Sequence, residues 1–521
     1  MFRPRLFLAS LLLGLFVSSL AAQLPPPDTG TLRPGQTTPG AAGCSLTDAS
    51  SCAQAAAKIF PTVMGDSPLE GNLRRLTDEI GGRMSGSAQM AKAVDWAVGA
   101  FRTAGVDVHQ EKYTLPVAWS EGETRLEVLG PLTFPVSLVS VGLSPATPPG
   151  GIEAPLVFVG DGGEDEFARA GAAVNGAVLL VYADVSYTWQ DLFQEYDVPP
   201  AVIELAVKAG ARAILWTGQR ERQLLYRHSN STNGNLELLP EAIVAREDAL
   251  RLLRLVTANP AQVRVRLTMP NKSAGPVEQV NVVGEIRGYQ NPEEIAVLGA
   301  NLDSWDLGTG ALDNGSNAAL VIEAARAIKA SGLLPRRTIR FVLFSGKEQG
   351  MVGSRAYVQS HRAELDKYRG VVIFDAGVGR LTGYFLGGRH DIEPAIREIL
   401  KPFTGWGVDD VTLAATSGTD HLDFLLEGVP TVVANQEVAN YLENYHAASD
   451  TFDKVDIREL KLNSALAAVT VWGIADRTEA IGKRQSRAEV EATLKETGLD
   501  RELQLLGIWN DFQAGARGRQ P

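Results

Sequence analysis

The chain has 521 residues, of which 45% are hydrophobic, and this is typical of a globular protein with two or three domains rather than a disordered or fibrous chain. The formal net charge is -12, and the sequence contains neither a basic stripe nor a basic amphipathic helix. We therefore expect no nucleic-acid partner and no binding to an anionic membrane surface.

Residues 1–22 have the order of a secretory signal peptide. Arg3 and Arg5 precede an apolar run over residues 6–17, which small residues follow at positions 19, 21 and 22. The alternative is a retained membrane anchor, but the run is shorter than the ~20 residues of a spanning helix. We expect cleavage near residue 21 or 22 and a secreted or periplasmic protein without membrane attachment.

Residues 23–64 are predicted to form a linker. The first half of this linker is rich in Pro, Gly and Thr. The second half contains both cysteines of the chain, Cys44 and Cys52. In an exported protein this spacing indicates a local disulfide bond. A metal site built from these cysteines is disfavoured, because no histidine lies nearby.

Changes of pattern divide the rest of the chain. Residues 65–117 show helical periodicity and one extended segment, and they are expected to pack on the sheet formed by residues 276–480. Residues 118–275 alternate short strands with helices and lack a cluster of acids, bases or metal ligands, which favours an inserted binding or lid domain. In residues 481–521 the pattern predicts a last helix over residues 489–509, followed by a disordered tail.

Three apolar runs between residues 296 and 375 each end in polar residues suited to metal binding. Helical periodicity separates the runs, so the pattern predicts an α/β fold with a doubly wound, mainly parallel sheet. The carboxyl ends of such strands form the ligand crevice. The polar residues at these ends are Asn301 and Asp303, Asp313 in the following loop, Lys347 and Glu348, and Asp375.

A hydrolytic two-metal site requires a carboxylate that bridges the ions, further ligands on each side, and a base for the attacking water. Each candidate also has an ordinary alternative: Asp313 and Glu348 could cap the helices that follow them, and His446 could be a hydrogen-bonding loop histidine. A serine hydrolase is not indicated, since no suitable Gly-x-Ser-x-Gly turn follows a strand. Oxygen and imidazole ligands indicate zinc, and the candidates are Asp313, Glu348, Asp375, Asn301 and His446.

Four ordered motifs lie at residues 299–305, 311–315, 343–350 and 445–446, and a further block lies at residues 76–81 and 85–87. Together they resemble the motifs and the opening block of the family-28 metallopeptidases, the co-catalytic zinc exopeptidases. Residues 118–275 are similar to the protease-associated domain inserted in that family. The resemblance covers most of the mature chain and implies a zinc-exopeptidase fold that acts on a peptide substrate.

The resemblance implies roles for individual residues. Asp313 would bridge two zinc ions, Glu348 and His446 would complete one half-site, and Asp375 with a histidine would complete the other. A single-zinc site would retain Asp313, Glu348 and His446, which we call the zinc trio.

The same resemblance implies supporting residues around the ions. Asp303 would orient a ligand through a hydrogen bond. Tyr445 and His421 would lie in the substrate pocket, where His421 could orient a peptide carbonyl or stabilise an oxyanion. A structural hydrogen bond is the alternative role for His421.

Two positions depart from the family's pattern. Asn301 stands where the family has a histidine ligand, and Lys347 stands where it has the glutamate that acts as general base. An amide oxygen is a weak zinc ligand, and a protonated lysine cannot accept a proton. We therefore expect one zinc ion, with the Lys347 ammonium in place of the second ion and paired with Asp375 or Asp303.

Two functions are consistent with these departures. The first is an exported zinc exopeptidase, an amino-, carboxy- or dipeptidase, with slow turnover that relies on a single zinc or on a Lys347 of depressed pKa. The second is a pseudopeptidase that keeps the fold as a peptide-binding or assembly module. The sequence leaves open which end of a peptide is trimmed, and whether the chain is a monomer or a homodimer.

Overall fold

The strands define two large sheets, of eight and seven strands, and a third sheet of two strands. The computed structural model describes residues 51–129, 132–259, 262–375 and 378–520. The strands are β1 (Asp107–Leu115), β2 (Ala118–Ser120), β3 (Arg125–Leu129), β4 (Leu138–Ser140), β5 (Ile152–Phe158), β6 (Val178–Val181), β7 (Ala213–Thr217), β8 (Glu241–Val244), β9 (Arg264–Thr268), β10 (Lys272–Ala274), β11 (Val277–Ile286), β12 (Asn291–Asn301), β13 (Arg337–Phe344), β14 (Tyr368–Ile373), β15 (Leu381–Phe385), β16 (Asp410–Thr412) and β17 (Thr431–Gln436).

Helices surround both sheets, and none in the described part of the chain is both long and apolar enough to cross a bilayer. They are α1 (Ser51–Met64), α2 (Leu69–Arg74), α3 (Ala88–Thr103), α4 (Glu164–Ala170), α5 (Trp189–Asp197), α6 (Pro199–Ala209), α7 (Arg246–Ala258), α8 (Ser316–Ala330), α9 (Val352–Ser360), α10 (Glu393–Leu400), α11 (Leu422–Leu426), α12 (Tyr441–Asn444), α13 (Ile457–Asp476), α14 (Arg487–Thr497), α15 (Leu499–Leu505) and α16 (Ile508–Gln513).

The larger sheet has eight strands in the order β1-β11-β13-β12-β14-β17-β15-β16. Its central strands β13, β12, β14 and β17 are parallel, whereas β1 and β11 pair antiparallel at one edge. Residues of β12 alternate between two buried clusters, one shared with α8 and α13 and the other with α9 and α11. Helices therefore cover both faces, which explains the continuous apolar run of this strand and confirms the predicted fold class.

The smaller sheet has seven strands in the order β3-β9-β5-β6-β7-β8-β4. Its centre, β5-β6-β7-β8, is parallel. The chain leaves the larger sheet through β2 and returns through β10, and these two strands pair antiparallel. The sheet thus lies inside the predicted insertion of residues 118–275, whose protease-associated character stays a prediction.

The predicted linker ends earlier than the sequence indicates. Residues 51–64 form α1, which buries Cys52, Ala55, Ile59 and Val63 at helical spacing against the main core. Cys52 is disulfide-bonded. Cys44, its predicted partner, and the predicted signal peptide lie outside the described residues.

The C-terminus is also more structured than predicted. Gly498 and Gly507 adopt positive φ angles of 76° and 71°, which divide the single predicted helix into α14, α15 and α16. The tail described through residue 520 is folded rather than disordered, because buried Arg517 donates two hydrogen bonds of 2.8 Å to Asp423.

Candidate metal centre and substrate cavity

Three loops at the carboxyl edge of the larger sheet bring the zinc trio together. Asp313 precedes α8, Glu348 lies between β13 and α9, and His446 follows α12. His446 Nε2 lies 3.0 Å from Asp313 Oδ2 and 3.1 Å from Glu348 Oε2. All three residues are buried, and one ligand atom from each lies within 4.8 Å of the others.

These residues fit a zinc ion. Two carboxylates and one imidazole form a donor set that leaves an open coordination position. Asp313 Oδ1 is buried without a hydrogen-bond partner, and His446 Nε2 faces the two carboxylate oxygens named above, an arrangement that suits a cation bound among these atoms. Burial would lower the pKa of His446, but the carboxylates of Glu348 and Asp313 raise it to about 9.

The Lys347 ammonium lies beside the trio. Its Nζ is 3.3 Å from Asp375 Oδ1, 3.5 Å from Glu348 Oε1 and 3.7 Å from Asp313 Oδ1. Burial would lower the pKa of Lys347, but these carboxylates raise it well above its usual value, which favours the ammonium form. The three contacts therefore argue against a Lys347 of depressed pKa, one of the alternatives from the sequence.

Asp375 and Asp303 have different positions around this ammonium. Asp375 is its nearest carboxylate, and burial raises the pKa of Asp375 to about 7 although Lys347 opposes that change. Asp303 instead accepts the backbone N–H of Glu348 at 3.2 Å, so it orients a trio residue. Of the two pairings expected for Lys347, the structure contains the one with Asp375.

Asn301 does not present a free ligand oxygen. Its Oδ1 accepts a hydrogen bond of 2.6 Å from Asn314 Nδ2, and its own Nδ2 donates to the Asp303 carbonyl at 3.1 Å and to Glu348 Oε1 at 3.4 Å. The neighbouring amides determine the orientation of this side chain, and the expected role of Asn301 as a weak ligand stays a prediction. Asn301 instead donates a hydrogen bond to a trio carboxylate.

Two buried side chains that sequence reasoning missed position the loop of Asp313. The Asp450 carboxylate accepts three consecutive backbone N–H groups, from Ala311 (2.9 Å), Leu312 (2.6 Å) and Asp313 (3.1 Å). The fully buried Arg83 donates to the backbone carbonyls of Leu302 (2.5 Å), Thr309 (2.9 Å) and Gly310 (2.9 Å). In the sequence, the one indication of a role for these residues is their position: Arg83 lies between residues 76–81 and 85–87, and Asp450 lies shortly after residues 445–446.

Three tyrosines surround His446 and Asp313. Tyr441 donates to Asp313 Oδ2 at 2.9 Å, and the Tyr445 ring stacks on His446 with centroids 3.7 Å apart. The hydroxyls of Tyr445 and Tyr196 are 2.7 Å apart. Tyr441 precedes Tyr445 by one helical turn, so the sequence spacing could have indicated that it lies near the site. Tyr196 belongs to the insertion, and nothing in the sequence around it indicates a place in the site.

A cavity of about 390 Å³ opens over this centre. Tyr445 lines it as predicted, but His421 does not: it is buried, with Nδ1 2.6 Å from Thr419 Oγ1. Burial lowers the pKa of His421 to about 4, and the structural alternative describes this residue. Other lining residues include Trp189, Phe193, Tyr196, Asp197, Trp305, Lys347, Glu348, Asp375, Tyr441, His446, Glu502, Leu506 and Ile508.

The fold and this centre define an α/β protein of the metallohydrolase class. The profile of peptidase family M28 matches residues 281–471. Mouse carboxypeptidase Q is 30% identical over 409 residues, which cover 78% of this chain and 85% of that protein. The chain belongs to peptidase family M28.

Solved structures agree with this assignment. A peptidase M28 precursor from Shewanella amazonensis superposes with a TM-score of 0.74 at 27% identity, covering 84% of this chain and 98% of that one. A zinc aminopeptidase from Bacillus subtilis shares the fold with a TM-score of 0.63 at 20% identity, covering 80% and 97%.

Proposed function

We propose that this chain is an exported exopeptidase of family M28 that binds one zinc ion and turns over slowly. The observation that supports this proposal is the position of Lys347 Nζ, 3.3 Å from Asp375 and 3.7 Å from Asp313, in the region between the two carboxylates where a second cation would bind. The zinc trio remains available for the first ion. The predicted signal peptide supports a secreted or periplasmic location.

In this proposal the zinc trio and Lys347 have different roles in peptide hydrolysis. Asp313, Glu348 and His446 would hold the zinc ion, whose chemistry when bound would be Lewis-acid polarisation of the scissile carbonyl. Lys347 neutralises Asp375 and holds it in place, but it cannot take a proton from water. Since general-base catalysis commonly contributes about 10²- to 10⁴-fold, we expect turnover to be reduced by that order.

The charges in the cavity support trimming from the amino end of a peptide. Lys347 is the one Lys or Arg among the described lining residues, and three carboxylates hold it. Asp197 and Glu502 add two further carboxylates to the wall. These groups suit an ammonium terminus and repel a terminal carboxylate, although the mouse relative is named as a carboxypeptidase. The aromatic lining suits an apolar side chain.

The proposal is tested by restoring both substituted positions. We expect Asn301→His with Lys347→Glu to bind two zinc ions and to hydrolyse aminoacyl and dipeptide substrates about 10²- to 10⁴-fold faster than the unmodified chain. Lys483→Glu, which makes the same charge change at an exposed lysine, is the matched control. The proposal fails if the unmodified chain already binds two ions and matches the restored variant.

The alternative is a pseudopeptidase that binds peptides without cleaving them. The ammonium held by three carboxylates at the position of the base favours it. Under this alternative the unmodified, zinc-loaded chain binds peptides but releases no product over long incubation. Slow release of the amino-terminal residue, abolished by His446→Ala, would decide for the enzyme.

A further inference from the structure

A second cavity of about 430 Å³ lies in the insertion, separate from the zinc trio. It is located beyond the carboxyl ends of the parallel strands β5, β6 and β7, where residues 161–163, residues 182–184 and Gln219 follow the strands. This is the edge of a parallel sheet at which ligands commonly bind, and the volume falls within the range of about 300–1,000 Å³ that small-molecule sites occupy.

The wall of this second cavity is acidic and aromatic. None of its described lining residues is a lysine or arginine. Arg220 lies behind the wall and pairs with Glu195, but the four lining acids leave the cavity with a negative charge that attracts a cation. Arg220 and Arg246 already lie over the rings of Tyr226 and Tyr182, so Trp216 is the ring of this wall that offers apolar surface to a ligand. The acids are Asp161, Asp184, Glu195 and Asp197, and the aromatic residues are Tyr182, Trp216 and Tyr226.

Two buried polar atoms in this wall lack a hydrogen-bond partner. Glu195 has a side chain that is 0% exposed, and its Oε1 pairs with Arg220 at 2.5 Å while Oε2 has no donor. His228 is 5% exposed, and its Nδ1 lies 3.8 Å from Glu195 Oε2, also without a partner. Unsatisfied buried groups are costly, so these atoms are suited to a ligand that donates N–H groups.

We propose that this cavity is a binding site for a small organic cation, a primary amine or guanidinium attached to an apolar body. The cationic group donates to Glu195 Oε2 and is surrounded by the acids of the wall, and the apolar body contacts the ring of Trp216. The site itself is independent of the proposed function.

Helix α5 forms a wall common to both cavities. Phe193 and Tyr196 line the cavity over the zinc trio, Glu195 lines the second cavity, and Asp197 lines both. Tyr196 is 2.7 Å from the hydroxyl of Tyr445, which stacks on His446. Helix α5 therefore contributes side chains to both cavities.

The test uses the full chain without zinc, with benzylamine as the cation and benzyl alcohol as its neutral match, measured by calorimetry. We expect saturable benzylamine binding that persists in Glu502→Gln, which weakens the acidic wall of the cavity over the trio, and at least 10-fold weaker binding of benzyl alcohol. Glu195→Gln should weaken benzylamine at least 10-fold. Glu204→Gln, an exposed residue of α6 that lines neither cavity, should leave the affinity within 2-fold.

A second variant guards against misfolding, because Glu195→Gln leaves Arg220 without its carboxylate. Asp161→Asn with Asp184→Asn removes two acids of the second cavity, and we expect a 5- to 20-fold loss of benzylamine affinity. Glu502 lines only the cavity over the trio, so Glu502→Gln should not change this affinity. No saturable binding, or weakening by Glu502→Gln and not by the second-cavity variants, would overturn the proposal without affecting the proposed function.

Discussion

Lys347 and Asp375 form a buried ion pair with Nζ and Oδ1 3.3 Å apart, and their side chains are 8% and 3% exposed. Neither Asp375 oxygen has another hydrogen-bond partner among the described residues. The Lys347 ammonium is therefore the main partner that offsets the cost of burying the Asp375 carboxylate. Removing the ammonium leaves that charge buried and unpaired.

Lys347→Met keeps the length of the side chain and removes its charge. We expect the zinc-free variant to lose about 3–5 kcal/mol in free energy of unfolding, because breaking a buried pair leaves an uncompensated carboxylate. Added zinc should recover part of this loss and bind at two ions per chain. Denaturant unfolding and metal analysis measure both effects. Lys483→Met, at an exposed pair, should cost less than about 1 kcal/mol, and an equal loss in both variants would contradict the prediction.

His446→Ala removes the one imidazole of the zinc trio. We expect the dialysed wild-type chain to retain one zinc ion and the variant to retain almost none, with affinity reduced at least about 100-fold. Elemental analysis and chelator competition provide the measurement. His390→Ala alters an exposed histidine and should leave the zinc content unchanged. Retention of zinc by His446→Ala would place the ion elsewhere.

Asp450→Asn tests the support of the Asp313 loop. The carboxylate accepts three backbone N–H groups, whereas an amide presents an NH₂ group to some of them. We expect zinc affinity to fall about 10- to 100-fold without loss of any ligand. Asp453→Asn, at an exposed acid nearby, should retain wild-type affinity. Unchanged affinity in Asp450→Asn would show that the loop holds its shape without this carboxylate.

Glu502→Gln tests which end of a peptide the cavity recognises. We expect the wild type to bind peptides with a free amino terminus more tightly than their N-acetylated forms, and the variant to lose about 5- to 30-fold of that preference. Fluorescence of Trp189 and Trp305, which line the cavity, reports binding without turnover. Glu496→Gln on α14 makes the same change at an exposed position. A wild-type preference for N-acetylated peptides would indicate carboxyl-end recognition.

His361 and Glu111 predict a pH-dependent contribution to stability, with Nε2 and Oε2 2.8 Å apart. Burial opposes both shifts, yet bonds to Glu111 and Glu364 raise the pKa of His361 above 6.5, and bonds from His109 and His361 lower the pKa of Glu111 from 4.5 to about 2. The contribution of His361 to the free energy of unfolding is fully present below pH 6.5 and is lost as the pH rises through the raised pKa. The contribution of Glu111 is fully present above pH 4.5 and is lost as the pH falls toward 2.

The pair therefore stabilises most between pH 4.5 and 6.5. We expect His361→Gln to lower the free energy of unfolding there by about 1–2 kcal/mol and by less at pH 8. Denaturant unfolding across the pH range measures the difference. His390→Gln should show no such profile, and a deficit in His361→Gln that does not vary with pH would point to packing alone.

The sequence predicted those parts of the site that depend on strand ends. Asp313, Glu348 and Asp375 follow or adjoin central parallel strands, so the topology alone brings them together. The fold class followed from the same alternation of apolar runs. The resemblance supplied His446, which no local pattern joins to the others.

The remaining features depend on contacts between distant segments. The orientation of Asn301 is set by Asn314, and His421 is turned inward by the turn that contains Thr419. Arg83 and Tyr196 reach the centre across more than 200 residues, as in the bond from Arg83 to the Thr309 carbonyl, and periodicity carries no information at that range. Helix α1, by contrast, was predictable: its apolar residues recur at helical spacing, but the Pro-rich stretch before it obscured the pattern.

The pair formed by Arg517 and Asp423 ties the segment after α16 to α11, and so it supports one wall of the cavity over the zinc trio. Leu506 and Ile508 line that wall, and Ile508 packs in a buried cluster with residues of α11 and α14. Loss of this ion pair would therefore loosen the wall while leaving Asp313, Glu348 and His446 in place. Access to the cavity would change before the capacity to bind a cation did.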